Sequence, residues 1–375
     1  MKKGLKLLGF TLGVFLICII PNVVFASESK LTEDGEFYYK EIENPAGIRI
    51  LRYEGNRKEV KVPDQIDGMP VVEIEDGAFE YRMTIEKINL PDTVINIGKE
   101  GELGAFSGCF KLKEINLPSN LEVIGKSTFE YTSLEKVVIP EKVTWIQNFC
   151  FAGCSKLKEV EFKGNCKKIG AGAFLKCRSL KSMVLPDSVN YIMQRAFEEC
   201  TSLETIHMPE NLEVIYQGAF AKCSVLREIT IPAKVKDIGK MWMGNSGHVF
   251  SDCSSLQKVI ILADVQILRR RTFERCKALK SVKLPNSLVK IGEGAFIGCR
   301  ELEEITLPKN LQKICINAFR RCGLKQITFP KSMQMVGRRS FAHCTSLEKV
   351  VYKSRLTKTG KLAFKDIAEN ARIYK

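Results

Sequence analysis

A 23-residue unit recurs thirteen times along this chain, and its period limits the possible folds more than any other feature. The unit reads L-x-x-I-x-L-P-x-x-L-x-x-I-G-x-x-A-F-x-x-C. Its Phe stands in every copy, from Phe79, Phe106 and Phe129 through to Phe341 and Phe364. Eight of the twelve intervals between these residues are 23, two are 22, and two are longer, at 27 and 30. A fixed period of this size marks a solenoid, in which each unit buries its apolar face only against its neighbours. The repeat runs from about Arg57 to Lys375, so one continuous domain is expected there despite the length.

Within the unit, Leu134, Val137 and Ile139 followed by Pro140 show the period-2 ending of a short strand, as do Leu302, Ile305, Leu307 and Pro308. Proline donates no backbone hydrogen bond, so it closes the strand and turns the chain. The I-G step that follows is read as a flexible corner. Gly fills it in seven copies, but Glu75, Gln147, Met193, Tyr216, Arg269 and Cys315 fill the rest, so a left-handed backbone is not generally required there. The A-F-x-x-C stretch is too short for a full helix and reads as a helical turn. Two charged columns run Lys58-Glu59, Glu86-Lys87, Lys113-Glu114, Glu135-Lys136 and Lys158-Glu159. Signs alternate across and down, as expected for a solvated face of parallel strands stacked in register about 4.8 Å apart.

Ten of the fourteen cysteines share one slot, three residues after the Phe, from Cys109 to Cys344. Arg82, Thr132 and Ile367 fill it elsewhere, so free buried thiols in a core ladder are expected rather than disulfides or zinc. At the N-terminus, Lys2, Lys3 and Lys6 precede an apolar run from Leu7 to Ile20 and then Val24-Phe25-Ala26. This reads as an export signal over 1–26, with the mature chain starting at Ser27 and no membrane span left in it. Residues 27–56 depart from the repeat. Phe37-Tyr38-Tyr39 and Ile48 to Tyr53 flank a turn with Asn44, Pro45 and Gly47, the pattern of a capping hairpin. Residues 57–375 form the solenoid, whose last unit is degenerate and expected to cap the far end.

The charge is uneven. Removing the three signal lysines lowers the net +15 to +12, yet residues 265–375 alone hold 25 Lys and Arg against eight Asp and Glu, a balance of +17. Arg269, Arg270, Arg271, Arg275, Arg320, Arg321, Arg338 and Arg339 are the main clusters, all within four residues of a ladder Phe. Polarised positive charge suits an acidic partner; a solubilising surface is the plainer reading. Two further candidate contact sets are His207, Thr230 and Ile260 on the strand face, and Trp242 in an insertion that breaks the period. Catalytic chemistry finds no support. His207, His248 and His343 fall in three different repeat slots, and no H-E-x-x-H, G-x-S-x-G or phosphate-binding Gly loop occurs. No enzyme activity, cofactor, metal or nucleic-acid partner is expected.

The unit resembles the BspA-like class of bacterial leucine-rich repeats, which pairs L-x-x-I-x-L-P with I-G-x-x-A-F. The resemblance covers residues 57–375, and Asp67-Gly68-Met69-Pro70-Val71 before Ile74 is similar to that family's opening repeat. The family implies a β-rich repeat solenoid, curved, with short parallel strands on one face and helical turns or loops on the other. It also implies an exported or cell-surface protein that binds macromolecules. The expectation is a secreted or surface-associated chain that adheres to an extracellular protein or to an acidic polysaccharide or wall polymer. The alternative is a passive envelope component held by its basic C-terminal third.

Overall fold

In the computed structural model the described residues are 29–99, 101–240 and 247–375. The export signal expected over 1–26 and Trp242 lie outside them. The repeats coil into a solenoid of parallel strands around one hydrophobic core that runs without interruption from Phe37 to Ala363.

The L-x-x-I-x-L segment of each unit forms the first ladder. Lys136–Ile139 pairs in parallel with Glu159–Phe162, and Glu228–Ile231 pairs with Lys258–Ile261. The alternating charges meet as the columns require. Lys136 reaches Glu159 at 2.8 Å, Lys158 reaches Glu135 at 2.7 Å, and Glu86 sits between Lys58 and Lys113 at 3.4 and 3.0 Å. One unit departs from the pattern: residues 303–307 form no strand, while Arg372–Tyr374 adds a parallel rung beyond the last Phe.

A second ladder runs where a flexible corner was expected. Two-residue strands such as Trp145–Ile146, Lys168–Ile169 and Tyr191–Ile192 stack in parallel, and so do Ile267–Leu268, Lys290–Ile291, Lys313–Ile314 and Met335–Val336. The antiparallel hairpin of Phe37–Glu43 and Ala46–Tyr53 joins this ladder through parallel pairing with Met69–Ile74. Most corner glycines are not left-handed. A Cβ on Gly170, Gly292 or Gly337 would instead lie 2.7 to 2.8 Å from the Ile146, Leu268 or Ile314 carbonyl of the preceding turn. Close backbone approach is what favours glycine there.

The A-F-x-x-C stretch takes a different form from the helical turn expected of it. Three separate i to i+3 bonds span it, such as Ala78 N–H to Glu75, Glu80 N–H to Gly77 and Arg82 N–H to Phe79. Left-handed residues at Gly77 and Tyr81 interrupt any helical run. Alternate N–H groups then donate across to the next turn, as Ser127, Phe129 and Tyr131 do to Asn148, Cys150 and Ala152. The Phe rings between these turns stack at centroid spacings of 5.0 to 5.5 Å, and Tyr53 of the hairpin continues the stack at 5.3 Å from Phe79. Each ladder thiol donates to the carbonyl of the Phe one turn earlier, for example Cys177 to Phe151 at 3.2 Å and Cys344 to Phe319 at 3.0 Å. All thirteen cysteines of the described residues are free.

Candidate functional site

The flank built from the Phe turns is where the C-terminal positive charge collects. Arg275 and Arg321 stand two residues after a ladder Phe, Arg271 and Arg339 two before, Arg270 and Arg338 three before, and Arg320 one after. Four of these are left-handed, with φ of 51° at Arg271, 57° at Arg275, 61° at Arg321 and 53° at Arg339. An unbranched side chain meets less backbone crowding in that conformation than a β-branched one.

Ion pairing divides the eight arginines into two groups. Arg269 donates through Nε and Nη2 to Asp237 at 2.8 and 2.6 Å, and Arg275 does the same to Asp252 at 2.7 and 2.8 Å. These hydrogen bonds raise both guanidinium groups above their usual pKa. Arg270 lies 3.6 Å from Glu293 and Arg271 3.8 Å from Glu274. Among the described residues, no carboxylate stands within ion-pair distance of Arg320, Arg321, Arg338 or Arg339.

Those four occupy neighbouring turns. The Arg321 N–H donates to the Ala342 carbonyl, the Asn317 N–H to the Arg338 carbonyl, and the Arg339 N–H to the Lys361 carbonyl. Lys361 and Lys365 extend the group, and sequence reasoning did not single them out. The signal was their register: Lys361 precedes Phe364 by three residues as Arg338 precedes Phe341, and Lys365 follows its Phe by one as Arg320 does. Arg321, Arg338, Arg339, Lys361 and Lys365 are exposed, while the Arg320 Nε–H is buried without an acceptor. Asp366, two residues after Phe364, sits 3.0 Å from His343 Nδ1. The same flank is neutralised in the middle turns, where Glu199 takes Arg178 at 3.0 Å and Lys222 at 2.9 Å. The hydrogen bond from Lys222 holds the Glu199 carboxyl below its usual range.

On the first ladder, Val184 pairs with His207 and Thr230 with Ile260 in one outward column. This column is uncharged over those four turns, between the two charged columns and the proline edge. His207 and Thr230 line a shallow hollow of about 760 Å³ together with Met208 and Leu262. Among the described residues, no three His, Cys, Asp or Glu stand close enough to hold a metal ion. Nor is any helix there long and apolar enough to cross a membrane.

The sequence matches the family model described as "BspA type Leucine rich repeat region (6 copies)" at residues 72–192, 122–247, 163–277 and 245–371. A leucine-rich repeat protein from Bacteroides ovatus is 25% identical, with a TM-score of 0.62 over 91% of this chain and 98% of that one. A leucine rich cell surface protein from Faecalibacterium prausnitzii is 24% identical, with a TM-score of 0.50 over 90% and 96%. The pneumococcal vaccine antigen PcpA is 18% identical, with a TM-score of 0.54 over 92% and 87%. The last two show the shared fold alone. No curated protein matches the sequence.

Proposed function

The chain belongs to the BspA-type leucine-rich repeat family, and from that premise we propose that it is an exported binding protein whose C-terminal flank takes a polyanionic cell-surface polymer. The observation that carries this reading is the group of Arg320, Arg321, Arg338 and Arg339 on adjacent turns, without carboxylate partners among the described residues and extended by Lys361 and Lys365. Charged side chains on a solenoid surface cost little to neutralise, and the middle turns of this one do so with Glu198 and Glu199. An uncompensated run instead raises the local positive potential and attracts anions. Arginine's planar fork suits the paired oxygens of phosphate, sulfate or carboxylate groups. Repetition along the axis at the rung spacing of about 4.8 Å matches a linear polymer better than a single small ion.

The test is binding of the full chain to a teichoic acid polymer and to a sulfated glycan across a salt series. Affinity should fall steeply as salt approaches 0.5 M, where screening shortens to roughly 4–5 Å. Replacing Arg320, Arg321, Arg338 and Arg339 with Glu should weaken binding by ~100-fold or more without unfolding the chain. Arg269 and Arg275 are left in place because their bidentate pairs tie neighbouring turns together. Changing His207, Thr230 and Ile260 should leave polyanion binding intact. If that strand-face variant loses binding and the arginine variant keeps it, the uncharged stripe is the site and the flank only a solubilising surface.

A further inference from the structure

A hollow on the second ladder lies apart from Arg320, Arg321, Arg338 and Arg339. The ladder's outward column runs Ile267, Lys290, Lys313, Met335 through successive parallel pairs. Lys290 and Lys313 are therefore stacked in register on adjacent strands, about 4.8 Å apart along the axis. Like charges placed this way repel. On the first ladder most rungs place opposite signs side by side, although Lys349 pairs with Arg372; here neither lysine has a carboxylate within ion-pair distance among the described residues. Glu293 is close by but is turned toward Arg270, at 3.6 Å.

The two ammonium groups border the hollow, which measures about 280 Å³. Its apolar surface comes from Ile267, Ile316 and Met335, each between 40 and 44% exposed. Cys315 also lines it, and it is the only cysteine of the described residues that is not buried. Gly292 and Gly337, in the same column one turn before and one turn after, offer no side chain to cover that thiol. Burial raises the thiol's pKa; the charges of Lys290 and Lys313 act against that shift, and the charge of Glu293 adds to it. Arg269, Arg270 and Glu293 complete the wall; Arg269 is paired with Asp237, Glu293 lies 3.6 Å from Arg270, and the Arg270 Nε–H is buried without an acceptor. A buried donor of this kind calls for a partner.

We propose that this hollow binds a small amphipathic carboxylate, with its apolar body on Ile267, Ile316 and Met335 and its anionic head between Lys290 and Lys313. A concave, partly apolar site with a few convergent charges is the usual form of a small-molecule site. An uncharged hydrocarbon would leave the lysine repulsion in place. A bare inorganic anion would leave the three apolar side chains in water. Only a ligand carrying both features satisfies both halves.

Cys315 supplies a native reporter. The full chain is treated with iodoacetamide, a neutral reagent, and the labelling rate at Cys315 is read by peptide mass spectrometry. Octanoate should slow labelling in a saturable way, by roughly fivefold or more, because an occupied hollow covers the thiol. Octan-1-ol and sodium sulfate at matched concentrations should not. The K290E/K313E variant, and separately I316E, should weaken octanoate protection by roughly tenfold or more. The proposal is overturned if Cys315 does not label at all, or if octanoate fails to protect the unaltered chain. It is equally overturned if the alcohol or sulfate protects as well as octanoate does, or if a folded K290E/K313E variant is still fully protected. The first three results need no variant, so a substitution that fails to fold leaves the test intact. Since Arg320, Arg321, Arg338 and Arg339 stand outside this hollow, their Glu variant should keep octanoate protection even where it has lost the polymer.

Discussion

Left-handed backbone recurs at two fixed places in the turn, and this decides which side chains the flank can carry. The residue two after the Phe is left-handed in all thirteen copies, and the residue two before it in every copy but Gly104. Only some of these positions are glycine. Lys176, Glu199, Lys222 and Arg275 occupy the later one at φ of 57° to 62°. Neither column contains a Val, Ile or Thr, which crowd the backbone most in this region. The signal was present in the sequence as an omission, and an omission is harder to read than a repeated Phe. Replacing Lys176 with Val should cost ~1–2 kcal/mol in urea denaturation. Lys176→Gly should be neutral or gain up to ~1 kcal/mol, as Gly153 already fills the equivalent place one turn earlier. Equal midpoints for the Val and Gly variants would show that the turn relaxes out of the left-handed region.

Within one turn, the thiol slot couples two elements that the sequence presented separately. The Phe carbonyl already accepts the N–H three residues on, and the thiol of the next turn adds a second donor, so each Cys joins two turns through one acceptor. Burial pushes Cys154 and Cys200 up to about 12 and drives Cys177, Cys223 and Cys253 well above 9.0. A raised thiol pKa favours the protonated folded form. Its contribution is complete below the unfolded value of 9.0 and is lost as pH rises from there toward the folded value. Stability should therefore hold through neutral pH and fall steeply above about pH 9, more steeply than for a variant with Cys154, Cys177 and Cys200 changed to Ala. Melting midpoints measured from pH 7 to 11 check this, and parallel curves for the two proteins would refute it. The first ladder and the Phe stack were legible because period-2 spacing, alternating charge and a fixed ring column each leave a pattern in sequence. The second ladder was not, since a two-residue strand such as Lys290–Ile291 has no period to detect. The arginines were legible as residues, but their pairing was not. Arg269 meets Asp237 across 32 residues because the irregular insertion lies between them.

Across the whole solenoid, stability is a sum over neighbouring turns rather than a property of a central core. Each turn touches only the one before and the one after, so the cost of a substitution depends on how many neighbours it loses. Phe220 is fully buried and stacks on both sides, 5.3 Å from Phe197 and 5.4 Å from Phe250. Phe364 is half-buried and stacks against a ladder ring on one side alone, 5.4 Å from Phe341. Phe220→Ala should cost roughly 3–5 kcal/mol, because it removes a ring and leaves a cavity closed above and below. Phe364→Ala should cost about half as much, and the loss should stay local. Hydrogen exchange should quicken at the amides that tie the last turns together, such as Phe341 to Ala363 and His343 to Lys365. Amides of the middle turns, such as Phe197 to Ala219, should keep their protection in that variant. The same local loosening would fall on the basic end that holds Arg338, Arg339, Lys361 and Lys365, so Phe364→Ala should also weaken polymer binding while leaving Cys315 labelling unchanged. If instead both Phe variants lose the same free energy and exchange faster everywhere, the molecule unfolds as one cooperative unit and the nearest-neighbour account fails.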